Sequence, residues 1–140
     1  MHSNRFAAIA VMMAALLTMV CACQAAFAED NPFAGIHVVT SRSRYVGNGC
    51  PIDVTFTARI TFAMPHPQGF MFNYHWERSD GAKGPVRVVR PPAGQGAMTG
   101  KETWHLGARG QQYNVSETLF VNSGNTHLSE TSPTVPIVCK

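Results

Sequence analysis

The sequence predicts an all-β fold, an antiparallel sandwich of about seven short strands held by one disulfide bond. Three observations predict it. Side chains alternate between apolar and polar along much of residues 50–140, turn-forming residues separate the alternating runs, and one pair of cysteines brackets them. Alternation with a period of two is the pattern of a strand with one buried face, whereas a helix would spread the same residues around its circumference.

Residues 1–28 have the features of a secretory signal peptide. His2 and Arg5 precede an apolar run over residues 6–20, and the Ala-Phe-Ala sequence at 26–28 matches the small-x-small cleavage rule. Cleavage after Ala28 leaves residues 29–140, a length typical of one domain. We therefore expect an exported protein, periplasmic or secreted.

The alternative is a lipid-anchored envelope protein. Val20-Cys21-Ala22-Cys23 loosely matches a lipobox with Cys23 as the acylated residue, although Val20 stands where such a box usually has leucine. We favour soluble export because of the Ala-Phe-Ala cleavage site. No later apolar run approaches the ~18–20 residues of a transmembrane span, so none is predicted.

The first strands carry the clearest alternation. An opening strand is predicted over Gly35 to Thr40. The second, from Cys50 to Phe62, has an inward face of alternate residues: Cys50, Ile52, Val54, Phe56, Ala58, Ile60 and Phe62. The third repeats the pattern with Phe70, Phe72, Tyr74 and Trp76 inward. Half-buried strands of this type belong to antiparallel sheets.

Four further strands follow. They are predicted over Pro85 to Arg90 with Val86 and Val88 inward, Lys101 to Leu106 with Trp104 and Leu106 inward, Tyr113 to Val121, and Thr134 to Cys139. Clusters of Gly, Pro, Ser, Asn and Asp at residues 65–69, 79–81, 93–96 and 122–125 predict the turns between strands. About seven strands at this spacing are typical of an immunoglobulin-like sandwich.

Cys50 and Cys139 predict a disulfide that ties an early strand to the last one. A widely spaced cysteine pair in an exported chain is typical of such a bond. There is no Cys-x-x-Cys and no second pair to complete a zinc site. Closing a loop of about ninety residues contributes roughly 4 kcal/mol to stability by chain entropy.

Four segments follow the pattern of a known family. They are Tyr45-x-Gly47 before Cys50-Pro51, the segment Tyr74-x-Trp76-Glu77-Arg78-Ser79-Asp80-Gly81-Ala82, the segment Thr103-Trp104-x-Leu106-Gly107, and Val138-Cys139. Together they resemble exported bacterial immunoglobulin-like domains, and residues 76–81 are the most specific part. The resemblance implies the fold and a first-to-last disulfide. It implies no activity, because those domains are largely uncharacterised.

Charge and motifs argue against several function classes. Removing residues 1–28 removes one arginine and no acid, which leaves ten basic and eight acidic residues. The basic residues are scattered, so no nucleic-acid partner is predicted. There is no Gly-x-Ser-x-Gly and no His-Glu-x-x-His. The acids are dispersed and are predicted to be surface charges: Asp53, Glu77, Asp80, Glu102, Glu117 and Glu130. No enzyme activity, catalytic residue or cofactor is predicted.

The function most consistent with the sequence is that of a binding or interaction module. Its expected partner is another envelope or extracellular protein. Loops of small β domains are natural contact surfaces. The candidate binding residues are His66 in the loop Pro65 to Gly69, Met71 beside that loop, and Met98 in the stretch Pro91 to Gly100. Exposed methionines suit an adaptable protein contact.

The alternative function is a periplasmic carrier of a metal ion or another small ligand. His75 and Glu77 lie two apart and share the outward face of one predicted strand, and His105 faces outward on another. A metal site requires a third ligand near the first two. The carrier hypothesis therefore depends on the fold bringing His105 to His75 and Glu77.

Overall fold

The computed structural model of the chain describes residues 31–64 and 69–140, which form ten β-strands and no helix. In this part of the chain there is accordingly no helix long and apolar enough to cross a membrane. The all-β class is confirmed. The predicted signal peptide, the lipid anchor at Cys23 and the binding role of His66 lie outside the described residues.

The ten strands form three sheets. In chain order they are β1 Phe33–Thr40, β2 Tyr45–Gly47, β3 Ile52–Phe62, β4 Phe72–Arg78, β5 Arg87–Val89, β6 Ala97–Leu106, β7 Gln112–Val115, β8 Glu117–Ser123, β9 Thr126–Thr131 and β10 Val135–Cys139. The sheet orders are β1-β3-β6, β2-β10-β7 and β5-β4-β8-β9. Neighbouring strands are antiparallel except β2 and β10, which run parallel.

The strand count differs from the prediction of about seven. The predicted strand from Tyr113 to Val121 is interrupted at Ser116 and forms β7 and β8. β2 has only three residues, too few for alternation to be recognised. β9 has a single apolar residue, Leu128, because it lies at the edge of its sheet and buries little.

Strand β3 is the centre of the first sheet, and its alternation is confirmed. It pairs with β1 on one side and with all ten residues of β6 on the other. Its inward side chains from Val54 to Ile60 have no exposed surface. Cys50, which was predicted to begin this strand, precedes it and is half-buried.

Buried side chains of all three sheets pack into one apolar cluster. Trp76 and Trp104 belong to it and are 3% and 9% exposed, which confirms their predicted inward orientation. At one end of the cluster, four phenylalanine rings lie with centroids between 5.4 and 6.3 Å apart: Phe33, Phe62, Phe70 and Phe72. Burial of such rings contributes strongly to core stability.

The predicted orientation of β5 is wrong. Val86 and Val88 were expected inward, but their exposed fractions are 63% and 71%. Val89 is the residue that packs against the core, since it lies opposite the buried Phe72, whereas Val88 lies opposite Asn73. In a strand of three residues the alternation is too short to determine its phase.

Two long-range links join the sheets. The predicted Cys50–Cys139 disulfide is confirmed. It connects Cys50, which lies just before β3, to the last residue of β10, the central strand of the second sheet. A second link joins β1 to β9, because the Val38 backbone N–H donates to Glu130 Oε1 at 3.0 Å. The first sheet is therefore tied to both of the others.

Gly107 lies directly against the disulfide. Its φ of +112° is a conformation that residues with a side chain rarely adopt. A Cβ added at Gly107 would lie 2.8 Å from Cys139 Sγ and 3.1 Å from Cys50 Sγ. Both the backbone conformation and the close approach of the sulfur atoms therefore require glycine here.

We expect Gly107→Ala to lower the free energy of unfolding by about 1–3 kcal/mol, because the substitution strains the backbone and displaces the disulfide. Urea unfolding of the oxidised protein measures the change. Gly96→Ala is the matched control, since nothing lies within 4 Å of an added Cβ there and its φ is not positive. Equal stability of the two variants would contradict this account of Gly107.

Candidate functional site

A cavity of about 140 Å³ lies where β4, β6 and β8 approach one another. A single water needs on the order of 10–15 Å³ by a comparable measure, so the cavity has room for several waters or a small chemical group. The lining residues come from all three strands and from the segment after β4: Trp76, Arg78, Ala82, Lys83, Gly84, Glu102 and Glu117.

Strand alternation explains why charged side chains reach this cavity. Glu117 lies two residues before the buried Leu119 on β8. On β6, Glu102 lies two residues before Trp104, and on β4, Arg78 lies two residues after Trp76. Residues two apart on a strand share a face. The inward face of each of the three strands therefore carries one charged residue at the cavity.

Glu117 is the most unusual group of the site. Its side chain is buried, with 1% of the residue exposed, and neither carboxyl oxygen has a hydrogen-bond partner among the described residues. Its backbone is satisfied by Ser132, whose Oγ accepts from Glu117 N at 3.1 Å and whose N–H donates to Glu117 O at 2.9 Å. Burying a carboxyl group without partners costs several kcal/mol unless it is neutralised.

Burial raises the pKa of Glu117 from 4.5 to about 7, because the charged form loses its hydration. The negative charge of Glu102 raises this pKa further, while the positive charge of Arg78 lowers it and Asp80 raises it slightly. Near neutral pH the carboxyl group is thus balanced between its acid form, which can donate a hydrogen bond, and its anion.

Two hydrogen-bond donors beside Glu117 are also unused. Trp76 Nε1 and Arg78 Nε are buried and have no acceptor within the described part of the chain. The rest of the Arg78 side chain is held firmly, since its guanidinium lies 3.6 Å from the Trp104 ring centroid and its Nη2 donates to Asp80 Oδ2 at 3.0 Å. The cation–π contact and the ion pair fix where Nε points.

The two cations that line the cavity are paired with acids, one in the turn after β4 and one in β4 itself. Asp80 pairs with Arg78 and accepts from the Ala82 N–H at 3.1 Å. Lys83 Nζ lies 2.6 Å from Glu77 Oε1. No ion pair within residues 31–64 and 69–140 engages Glu102 or Glu117. Glu102 and Glu117 therefore line the cavity without an ion-pair partner among the described residues.

Two residues of the alternative metal site, His75 and Glu77, lie together, whereas His105 lies in a different sheet. His75 Nε2 lies 3.0 Å from Glu77 Oε1, and the His75 ring stacks on Phe120. His105 belongs to the first sheet, where its Nδ1 lies 2.6 Å from Asp53 Oδ1. The described residues contain no group of three potential ligands suited to a metal ion.

The two predicted binding methionines have different environments. Met71 is 48% exposed, and its sulfur lies 3.0 Å from Arg90 Nη2. Met98 was expected to be exposed in a loop, but it lies in β6 opposite Ile60 and packs half-buried against the core. That expectation was wrong because β6 extends to Ala97, so the inward alternation of Trp104 and Leu106 continues back to Met98. Their binding role stays a prediction.

Sequence reasoning missed the polar cavity. Glu117 was predicted to be a surface charge, and the structure buries it. The signal was present, since Val115, Glu117, Leu119 and Val121 share one parity and three of the four are apolar. An acid in phase with buried neighbours is the pattern that indicates a buried carboxyl group.

The chain was compared with family models, with curated proteins and with solved structures, and none of them matches it.

We expect the free energy of unfolding of the wild type to fall by about 3 kcal/mol relative to Glu117→Gln between pH 4.5 and pH 7.5. The native state holds the Glu117 proton up to about pH 7, whereas the unfolded chain releases it near 4.5. Stability is therefore greatest below the unfolded pKa and is lost as pH rises through the native one. Urea unfolding at several pH values measures both proteins. Parallel pH profiles would rule out a raised pKa at Glu117.

Proposed function

We propose that this protein is an exported, non-enzymatic binding module of the bacterial envelope or extracellular space, and that its cavity between β4, β6 and β8 receives a group of its binding partner. The observation that carries the proposal is Glu117, a buried carboxyl group that lines the cavity and has no partner in the described structure. Unsatisfied buried polar groups are rare in folded proteins and indicate a missing ligand or water.

Four polar atoms from three residues support binding over a purely structural role. Glu117 offers two oxygens, while Trp76 Nε1 and Arg78 Nε offer N–H groups. A core that served only stability would be apolar here, because replacing unpaired polar groups by apolar ones removes their desolvation cost. A partner that supplies complementary groups recovers that cost on binding.

The size of the cavity favours a single chemical group over a whole cofactor. Sites for drug-sized ligands usually enclose ~300–1,000 Å³. About 140 Å³ suits one side chain of a protein partner. This supports the expectation of another envelope or extracellular protein as the partner.

The remaining features of the proposal rest on the sequence. Residues 1–28 have the pattern of a secretory signal, and the Cys50–Cys139 bond suits an oxidising compartment. We also propose that the three sheets belong to an immunoglobulin-like sandwich, as the resemblance of residues 74–82 and 103–107 implies.

We expect at least one of four small probes, N-methylguanidinium, n-propylammonium, acetate or N-methylacetamide, to shift the Trp76 indole N–H resonance of the oxidised protein in ¹⁵N NMR spectra. Ala82 lines the cavity with an exposed side chain, so Ala82→Phe fills the entrance without altering a polar group. The variant is expected to abolish the shift.

Ala93→Phe is the matched control, because Ala93 is also exposed in a turn but does not line the cavity. Binding should be unchanged in this variant. The proposal fails if no probe binds, or if Ala82→Phe and Ala93→Phe respond alike.

A further inference from the structure

We propose that the cavity binds the guanidinium group of an arginine side chain presented by a partner protein, with Glu117 as the acceptor. This inference rests on the proposed binding function and adds the chemistry of the ligand. Two acids line the cavity without an ion pair among the described residues, the two oxygens of Glu117 are unpaired there, and Trp76 and Arg78 carry unused N–H donors.

The charge balance favours a cation. Lys83 is paired with Glu77 and Arg78 with Asp80, so the two cations that line the cavity are already neutralised. Glu102 and Glu117 remain without a counter-charge among the described ion pairs. An anion would be repelled by both carboxylates, whereas a cation would relieve their mutual repulsion.

The geometry of the acceptor favours guanidinium over ammonium. Neither Glu117 oxygen has a donor within residues 31–64 and 69–140, and a planar guanidinium can donate to two carboxylate oxygens at once through parallel N–H bonds. An ammonium group is a point charge that cannot make this paired contact.

The unpaired N–H donors of Trp76 and Arg78 favour an arginine within a peptide over a free guanidinium ion. Trp76 Nε1 and Arg78 Nε each need an acceptor, which a guanidinium does not have. A backbone carbonyl of the partner chain supplies one. A peptide arginine therefore complements more of the site than a small free guanidinium does.

Binding of this group is coupled to the proton of Glu117. The groups that face Glu117 are Glu102 from β6, and Arg78 and Asp80 from β4 and its turn, and Lys83 also lines the cavity. Because the pKa of Glu117 is about 7 without a ligand, it must lose its proton to accept both N–H bonds. Affinity should therefore rise about tenfold from pH 6 to pH 8 and level off above it.

The test measures dissociation constants of acetyl-arginine-N-methylamide, N-methylguanidinium and its neutral, planar analogue N-methylurea, using the Trp76 indole N–H resonance of the full oxidised protein. We expect the arginine peptide to bind more tightly than N-methylguanidinium, and N-methylurea to bind at least tenfold more weakly than either. Glu117→Gln should weaken the peptide at least tenfold at pH 8 and remove its pH dependence.

Three results would overturn the inference. They are equal binding of N-methylurea and N-methylguanidinium, wild-type affinity that does not change with pH, and an unchanged affinity in Glu117→Gln. The wild-type pH profile keeps the test decisive even if that variant folds poorly. Exclusion of the peptide while N-methylguanidinium binds would overturn the assignment to a protein partner.

The outcome for this ligand is separable from that of the binding function. If acetate or N-methylacetamide binds in the cavity, N-methylguanidinium does not, and Ala82→Phe blocks that binding, the binding function stands and the guanidinium assignment falls. If none of the probes binds, both fall.

Discussion

The alternation of side chains along the strands is the constraint on which both the fold and the cavity depend. A strand that directs Leu119 and Val121 into the core must direct Glu117 the same way, since residues two apart share a face. A shift of one residue would expose the whole apolar set. The packing of the core therefore keeps the side chain of Glu117 on the inward face of β8.

The buried position of Glu117 lowers the stability of the fold. A buried carboxyl group without a partner lowers stability, and a domain of this size has a net stability of only ~5–15 kcal/mol. The fold tolerates the group because the apolar cluster unites all three sheets and the Cys50–Cys139 bond ties two of them. Polar groups retained at a cost to stability are typical of functional sites, where binding needs what folding alone would remove.

The sequence predicted the parts of the fold that rest on long alternation. The inward residues of β3, the burial of Trp76 and Trp104, and the disulfide were all inferred correctly. Short or polar strands such as β2 and β9 were missed, because three residues or a single apolar side chain show no period. The cavity could not be predicted, since it depends on β6 lying beside β4 and β8, which belong to another sheet. The burial of Glu117 could have been predicted, because its position in the alternation of β8 matches that of the inward residues Leu119 and Val121.

Glu117 is buried without a partner among the described residues, and burial raises the pKa of its carboxyl group to about 7. The most direct measurement is the pH titration of its side-chain carboxyl carbon by ¹³C NMR in the oxidised, unliganded protein, with Glu117→Gln used to assign the resonance. We expect the titration of the Glu117 carboxyl group to have a midpoint of about 7. A midpoint near 4.5, the ordinary value for glutamate, would show that the carboxyl group is hydrated or paired, and would contradict the account.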